Sequence, residues 1–134
     1  MEFTLDKANV LGKGNDVLLV ACGEMVPYAK EAMETLNERG ISTGLIDMYC
    51  IKPFDVDTLV ELAKDVKLVV SIEEHAPQGG LGSAVAQALS SNCPKRLVEK
   101  NLPDEHLIPG ENTEMFAYYG LDAKGIVKTV EESL

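Results

Sequence analysis

The sequence predicts an α/β domain, a mostly parallel sheet with helices on both faces. Three observations carry this. Short apolar runs suited to covered strands recur at residues 16–21, 41–48 and 68–72. Each is followed by a stretch with helical spacing, and glycine, proline or aspartate marks the junctions. Parallel neighbours require crossover connections, so strands alternating with helices of roughly a dozen residues specify this class.

The elements follow in order. Asp16 to Ala21 (DVLLVA) is a continuous apolar run closed by Gly23, as expected of a strand buried on both faces. From Met25 to Glu38 the apolar positions Met25, Ala29, Ala32, Met33 and Leu36 recur at helical spacing, and Gly40 supplies the stop. Ile41 to Met48 is a second buried strand. Lys52-Pro53 then breaks the chain, and Asp55 can cap a helix to about Lys64, with Asp57 near its start and Glu61 along its outer face. Leu68 to Ile72 (LVVSI) is a third strand run, Ser83 to Leu89 a compact helix of small residues, and Arg96 to Glu99 a further strand.

Two pieces flank these units. Lys7 to Leu11 reads as an edge strand that turns at Gly12-Lys13-Gly14 and returns into Asp16 as a hairpin, antiparallel to its neighbour. Ile126, Val127 and Val130 lie on one side of a last helix from about Asp122 to Ser133. Between them, Asn101 to Gly120 holds two prolines and two glycines, and a short helix is expected near Thr113 to Ala117 among surface loops.

Composition limits the function classes. At 134 residues and 46% hydrophobic content the chain suits one compact domain with one core. Twelve Lys and Arg against 22 Asp and Glu give a formal charge of −10, which repels a phosphate backbone and makes nucleic acid a poor partner. No apolar run approaches the ~20 residues that span a bilayer, and MEFTLDKANV lacks the basic and apolar segments of a secretion signal. A cytoplasmic protein without membrane partners is the expectation. Cys22, Cys50 and Cys93 are far apart and read as reduced residues. His75 and His106 have no cysteine close to them, so no structural zinc site is expected.

The stretch EEHAPQGGLGS, Glu73 to Ser83, least resembles packing material. It sits at the carboxyl end of a predicted strand, the usual ligand position in open parallel sheets. Gly79, Gly80 and Gly82 would let a backbone approach a ligand, and N–H groups of the following helix start can receive an anion. Equally, the glycines can serve a tight turn and close helix-to-sheet packing, with Ser83 helping to cap the helix. The pattern is neither G-x-x-x-x-G-K-[ST] nor G-x-G-x-x-G. Glu73 and His75 can share a side while Glu74 looks away, an arrangement that serves acid/base chemistry or a structural hydrogen bond. No nucleophile, metal set or orienting group accompanies them in sequence. Cys22 at the end of the first buried strand reads as a small core residue and His106 as a surface histidine. Phe116, Tyr118 and Tyr119 can stack on a partner or anchor the last loop, and Tyr28 and Tyr49 share no pattern with them.

The order of motifs resembles the C-terminal domain of transketolase and its thiamine-diphosphate-dependent relatives. The matching segments are Gly12-Lys13-Gly14-Asn15-Asp16-Val17, Ala21-Cys22-Gly23-Glu24-Met25-Val26, Gly40-Ile41 and Ile51-Lys52-Pro53-Phe54-Asp55. Ser71-Ile72-Glu73-Glu74-His75 with Gly79-Gly80-Leu81-Gly82-Ser83, and then Tyr119-Gly120-Leu121, complete them. EEH-x(3)-GGLGS is the most specific part and is most similar to transketolases whose gene is split into two subunits. Deoxyxylulose-phosphate synthase and the beta subunits of 2-oxoacid dehydrogenases are less similar.

The resemblance implies a three-layer α/β/α sandwich whose five-stranded mixed sheet has one antiparallel strand, at an edge. It implies that residues 1–134 are one such domain, with residues 1–14 as linker and edge strand. It also implies that thiamine diphosphate and magnesium belong to the complete enzyme. This chain has no G-D-G with a distant Asn-Asn and no domain supplying the activating glutamate, so none of its residues is assigned a catalytic, cofactor-binding or metal role. The partners expected are the N-terminal cofactor-binding domains or subunit, and further copies of the chain. Glu73, Glu74, His75, Gly79, Gly80, Gly82 and Ser83 would form a turn facing an interface or ligand, with no family role carried over to His75. The rival to this picture is a free-standing module that binds a phosphorylated ligand at the same turn.

Overall fold

The computed structural model describes residues 8–48, 55–73, 81–100 and 122–134. Among them, strands β1 (Asn9–Gly12), β2 (Val17–Ala21), β3 (Thr43–Asp47), β4 (Leu68–Ile72) and β5 (Arg96–Lys100) form one sheet in the order β1-β3-β2-β4-β5. The helices among the described residues are α1 (Val26–Glu38), entered through a 3-10 turn at Gly23–Met25, α2 (Val56–Ala63), α3 (Leu81–Asn92) and α4 (Ala123–Ser133). β2 pairs in parallel with β3 and β4, and β4 in parallel with β5. The expected five-stranded, mostly parallel sheet is present.

The alternation of side chains divides the core into two layers. Val17, Leu19 and Ala21 of β2 face a cluster built with Ala29, Met33 and Leu36 of α1 and Ile126 and Val130 of α4. Leu18 and Val20 face Leu59 and Ala63 of α2 and Leu81, Val85 and Leu89 of α3. All five residues of β2 are buried, the reason its sequence is a continuous apolar run without alternation.

The predicted hairpin is corrected. β1 is antiparallel and lies at the edge, but its partner is β3, with a bulge between Val10 and Gly12. Both edges of β2 are already taken by parallel strands. The connection instead fastens to the start of β3. Asn15 N donates to Ser42 Oγ at 2.9 Å, Asp16 N to the Ser42 carbonyl at 2.9 Å, and Ser42 N to Asp16 Oδ2 at 2.7 Å. A Cβ on Gly14 would stand 2.5 Å from Gly44 N, so glycine permits this backbone crossing.

Boundaries shift for local reasons. The run from Ile41 yields a strand only from Thr43, because Gly40 and Ile41 close α1. Gly40 has φ +84°, Ile41 N donates to the Leu36 carbonyl at 2.9 Å and Gly40 N to the Asn37 carbonyl at 3.1 Å, the paired bonds of a Schellman motif. α3 begins at Leu81, two residues before the expected Ser83. The helix expected near Thr113 to Ala117 lies outside the described residues.

Candidate functional site

In this topology the carboxyl ends of the parallel strands and the amino ends of the helices meet on one side of the sheet. Three of the four described α-helices hold a carboxylate of the chain itself on their first N–H groups. Asp55 Oδ1 accepts from Thr58 N at 3.1 Å on α2, and Asp122 Oδ1 accepts from Gly125 N at 2.9 Å on α4. Asp55 Oδ2 also accepts from Ala8 N at 2.9 Å, tying the start of β1 to the same cap. Helix starts carry partial positive charge and unpaired donors, so each carboxylate completes its helix. α1 has no side-chain cap, and Pro27 in its first turn has no donor to satisfy.

On α3 the carboxylate is Glu73. It is 0% exposed. Its Oε2 accepts from Leu81 N at 2.7 Å and its Oε1 from Gly82 N at 2.9 Å. Its own N–H donates to the Lys100 carbonyl at 2.9 Å, continuing the β4–β5 ladder by one residue. Two N–H groups at this helix start, those of Leu81 and Gly82, are therefore engaged by an internal carboxylate. Ser83 is exposed in the third position of α3, inside the helix instead of at its cap. Gly82 is buried, and a Cβ there would run into the Glu99 carboxylate of β5. Glu74, His75, Gly79 and Gly80 lie outside the described residues.

Two polar groups along the strands are incompletely served. Ser71, 1% exposed on β4, has a hydroxyl without a partner among the described residues. Asn9 pairs in register with Asp47 at the end of β3, and its buried Nδ2 likewise lacks a partner among the described residues. Burial raises the Asp47 carboxyl above its ordinary value. Cys22 and Cys93 are partly exposed thiols. Tyr28 packs partly buried against the α1 and α4 layer. Cys50, Tyr49, His106, Phe116, Tyr118 and Tyr119 lie outside the described residues.

Thiamine diphosphate would require a metal-bearing diphosphate site. No group of three or more His, Cys, Asp or Glu among the described residues is placed to hold a metal. The first N–H groups of α2, α3 and α4 hold the chain's own carboxylates. The described residues do not fit the cofactor, and no chemical step follows from them. No helix among them is long and apolar enough to cross a membrane.

The described residues form a three-layer α/β/α domain in which three of the four described α-helix starts are closed by the chain's own carboxylates. The chain belongs to the transketolase C-terminal domain family, whose profile matches residues 6–126. It is 42% identical over 132 residues to one of the subunits of the apulose-4-phosphate transketolase of Phocaeicola vulgatus, covering 98% of this chain and 42% of that protein. It is 38% identical over 133 residues to a putative transketolase C-terminal section of Methanocaldococcus jannaschii, covering 98% and 41%. A 1-deoxy-D-xylulose-5-phosphate synthase of Pseudoalteromonas atlantica is 36% identical over 124 residues, covering 92% of this chain and 19% of the synthase. Among solved structures, a split gene transketolase determined as an inactive beta4 tetramer superposes with TM-score 0.88 at 38% identity, covering 98% of this chain and 43% of that one. The chain thus spans about two fifths of the length of these two transketolase relatives.

Proposed function

We propose that this chain is the C-terminal accessory and assembly part of a cytoplasmic, thiamine-diphosphate-dependent transketolase. The complete enzyme would move two-carbon ketol units between sugar phosphates, with cofactor and magnesium held by domains or a subunit outside these 134 residues. Residues 1–134 would form the one domain, residues 1–14 leading into it as linker and edge strand. The turn from Glu73 to Ser83, with Glu74, His75, Gly79, Gly80 and Gly82, would face a neighbouring part of the assembly. The observation that carries this reading is the filled start of α3, where Glu73 takes the N–H groups of Leu81 and Gly82. A free-standing module for phosphorylated ligands would need that anion position open. A parent of the deoxyxylulose-phosphate synthase kind has less support, since identity and coverage favour the transketolase subunits.

The test uses the purified chain, alone and mixed with the cofactor-binding part of the same enzyme. Alone, it should release no heat with thiamine diphosphate and magnesium and transfer no ketol unit from a ketose phosphate to an aldose phosphate. Mixed, it should form a complex that does both. Tight cofactor binding or transfer by the chain alone would overturn the reading.

A further inference from the structure

We propose that the amino end of α3 is an anion receptor whose resident anion is the Glu73 side chain, and that this carboxylate pins both ends of the segment 74–80. Before that segment, Glu73 is fixed to the sheet by its N–H on the Lys100 carbonyl at 2.9 Å. After it, the two oxygens of the same residue hold Leu81 N at 2.7 Å and Gly82 N at 2.9 Å. The chain leaves and returns within one hydrogen-bonded unit.

The carboxylate is wholly buried, and no ion pair reaches it among the described residues. A buried charge needs compensation, and here the two N–H groups and the positive end of α3 supply it. Ser71, two residues before Glu73 on the same face of the sheet, buries a hydroxyl that has no partner among the described residues. Ser71 stands in register with Glu99, whose carboxylate fills the space beside Gly82 that a side chain would need. Glu73 is a positioning residue.

Replacing Glu73 by Ala deletes the atoms of an acetate ion, so acetate is the probe. In the full chain, Glu73→Ala should lower Tm by about 10 °C, from the loss of two charge-assisted hydrogen bonds. Sodium acetate should restore at least about half of that loss, while sodium chloride at equal ionic strength restores none and the unaltered protein responds equally to both. Glu73→Gln keeps the volume but presents a donor to a donor, and should stay destabilised in either salt. A Tm within about 1 °C of the unaltered protein, or equal responses of Glu73→Ala to acetate and chloride, would overturn the proposal. If the Ala variant does not fold, hydrogen exchange at Leu81 and Gly82 decides with Glu73→Gln. Exchange about tenfold faster or more supports the proposal, and unchanged protection overturns it.

Discussion

Three glycines that look alike in the sequence should respond differently to alanine. A Cβ at Gly14 would lie 2.5 Å from Gly44 N, 2.5 Å from the Thr43 carbonyl carbon and 2.7 Å from the Ser42 carbonyl oxygen. All three are backbone atoms, and Ser42 is tied by the bonds from Asn15 and Asp16. Nothing can swing aside, so either β3 shifts or the connection lifts off it. Overpacking of this kind costs about 1–3 kcal/mol, and the fixed neighbours place Gly14→Ala near the upper end. For a domain of this size about 3 kcal/mol lowers Tm by roughly 10 °C. Gly40 has open space around its would-be Cβ but φ +84°, so Gly40→Ala should cost only about 1 kcal/mol, the left-handed backbone term. Gly82 would meet the carboxylate end of Glu99, an exposed side chain on the outermost strand β5 that can rotate away. Gly82→Ala should therefore lie within about 0.5 kcal/mol of the parent, with alanine's helix propensity offsetting the contact. Urea unfolding of the three variants followed by circular dichroism gives the ranking. A Gly14→Ala cost below about 1 kcal/mol, or one smaller than that of Gly82→Ala, would refute the backbone-crossing argument.

Three further outcomes are expected. Arg39 and Glu131 pair at 2.9 Å with side chains 52% and 41% exposed, so Arg39→Ala should cost no more than about 1 kcal/mol and the difference should shrink in 1 M salt. Ser71→Ala removes a buried hydroxyl that lacks a partner among the described residues and should leave stability unchanged or raise it, whereas a loss above about 1 kcal/mol would show that the hydroxyl is bonded. Burial raises the Asp47 carboxyl above 3.8, so the folded state holds its proton more tightly and ionisation opposes folding. That penalty is fully present above the folded pKa and fades as pH falls through it. Asp47→Asn should accordingly melt above the parent at pH 7, and the advantage should vanish below about pH 3.8. An advantage constant across that window would refute the burial argument.

The fold was legible where one periodic signal determined one element. The buried run of β2, the spacing of α1 and the Asp55 cap of α2 each express a local rule, and each stands as read. The partner of β1 was not legible, because glycines at a turn signal a change of direction without saying which strand lies alongside. What excludes the hairpin is non-local: both edges of β2 are occupied, and residues 15 and 16 hydrogen-bond to Ser42, 26 residues or more away.

The start of α3 failed for a related reason, and it is the failure that matters for function. Capping rules search the residue just before a helix and the turn just inside it, which favours Ser83. The group that closes α3 comes from Glu73, eight residues before Leu81, across a segment whose length no capping pattern anticipates. A lone glutamate at a strand end reads as an acid/base candidate, and a glycine-rich turn before a helix reads as an anion cradle. Each half of that reading has the right chemistry. Joined through the hydrogen bonds at 2.7 and 2.9 Å, the Glu73 carboxylate and the N–H groups of Leu81 and Gly82 satisfy one another inside the fold.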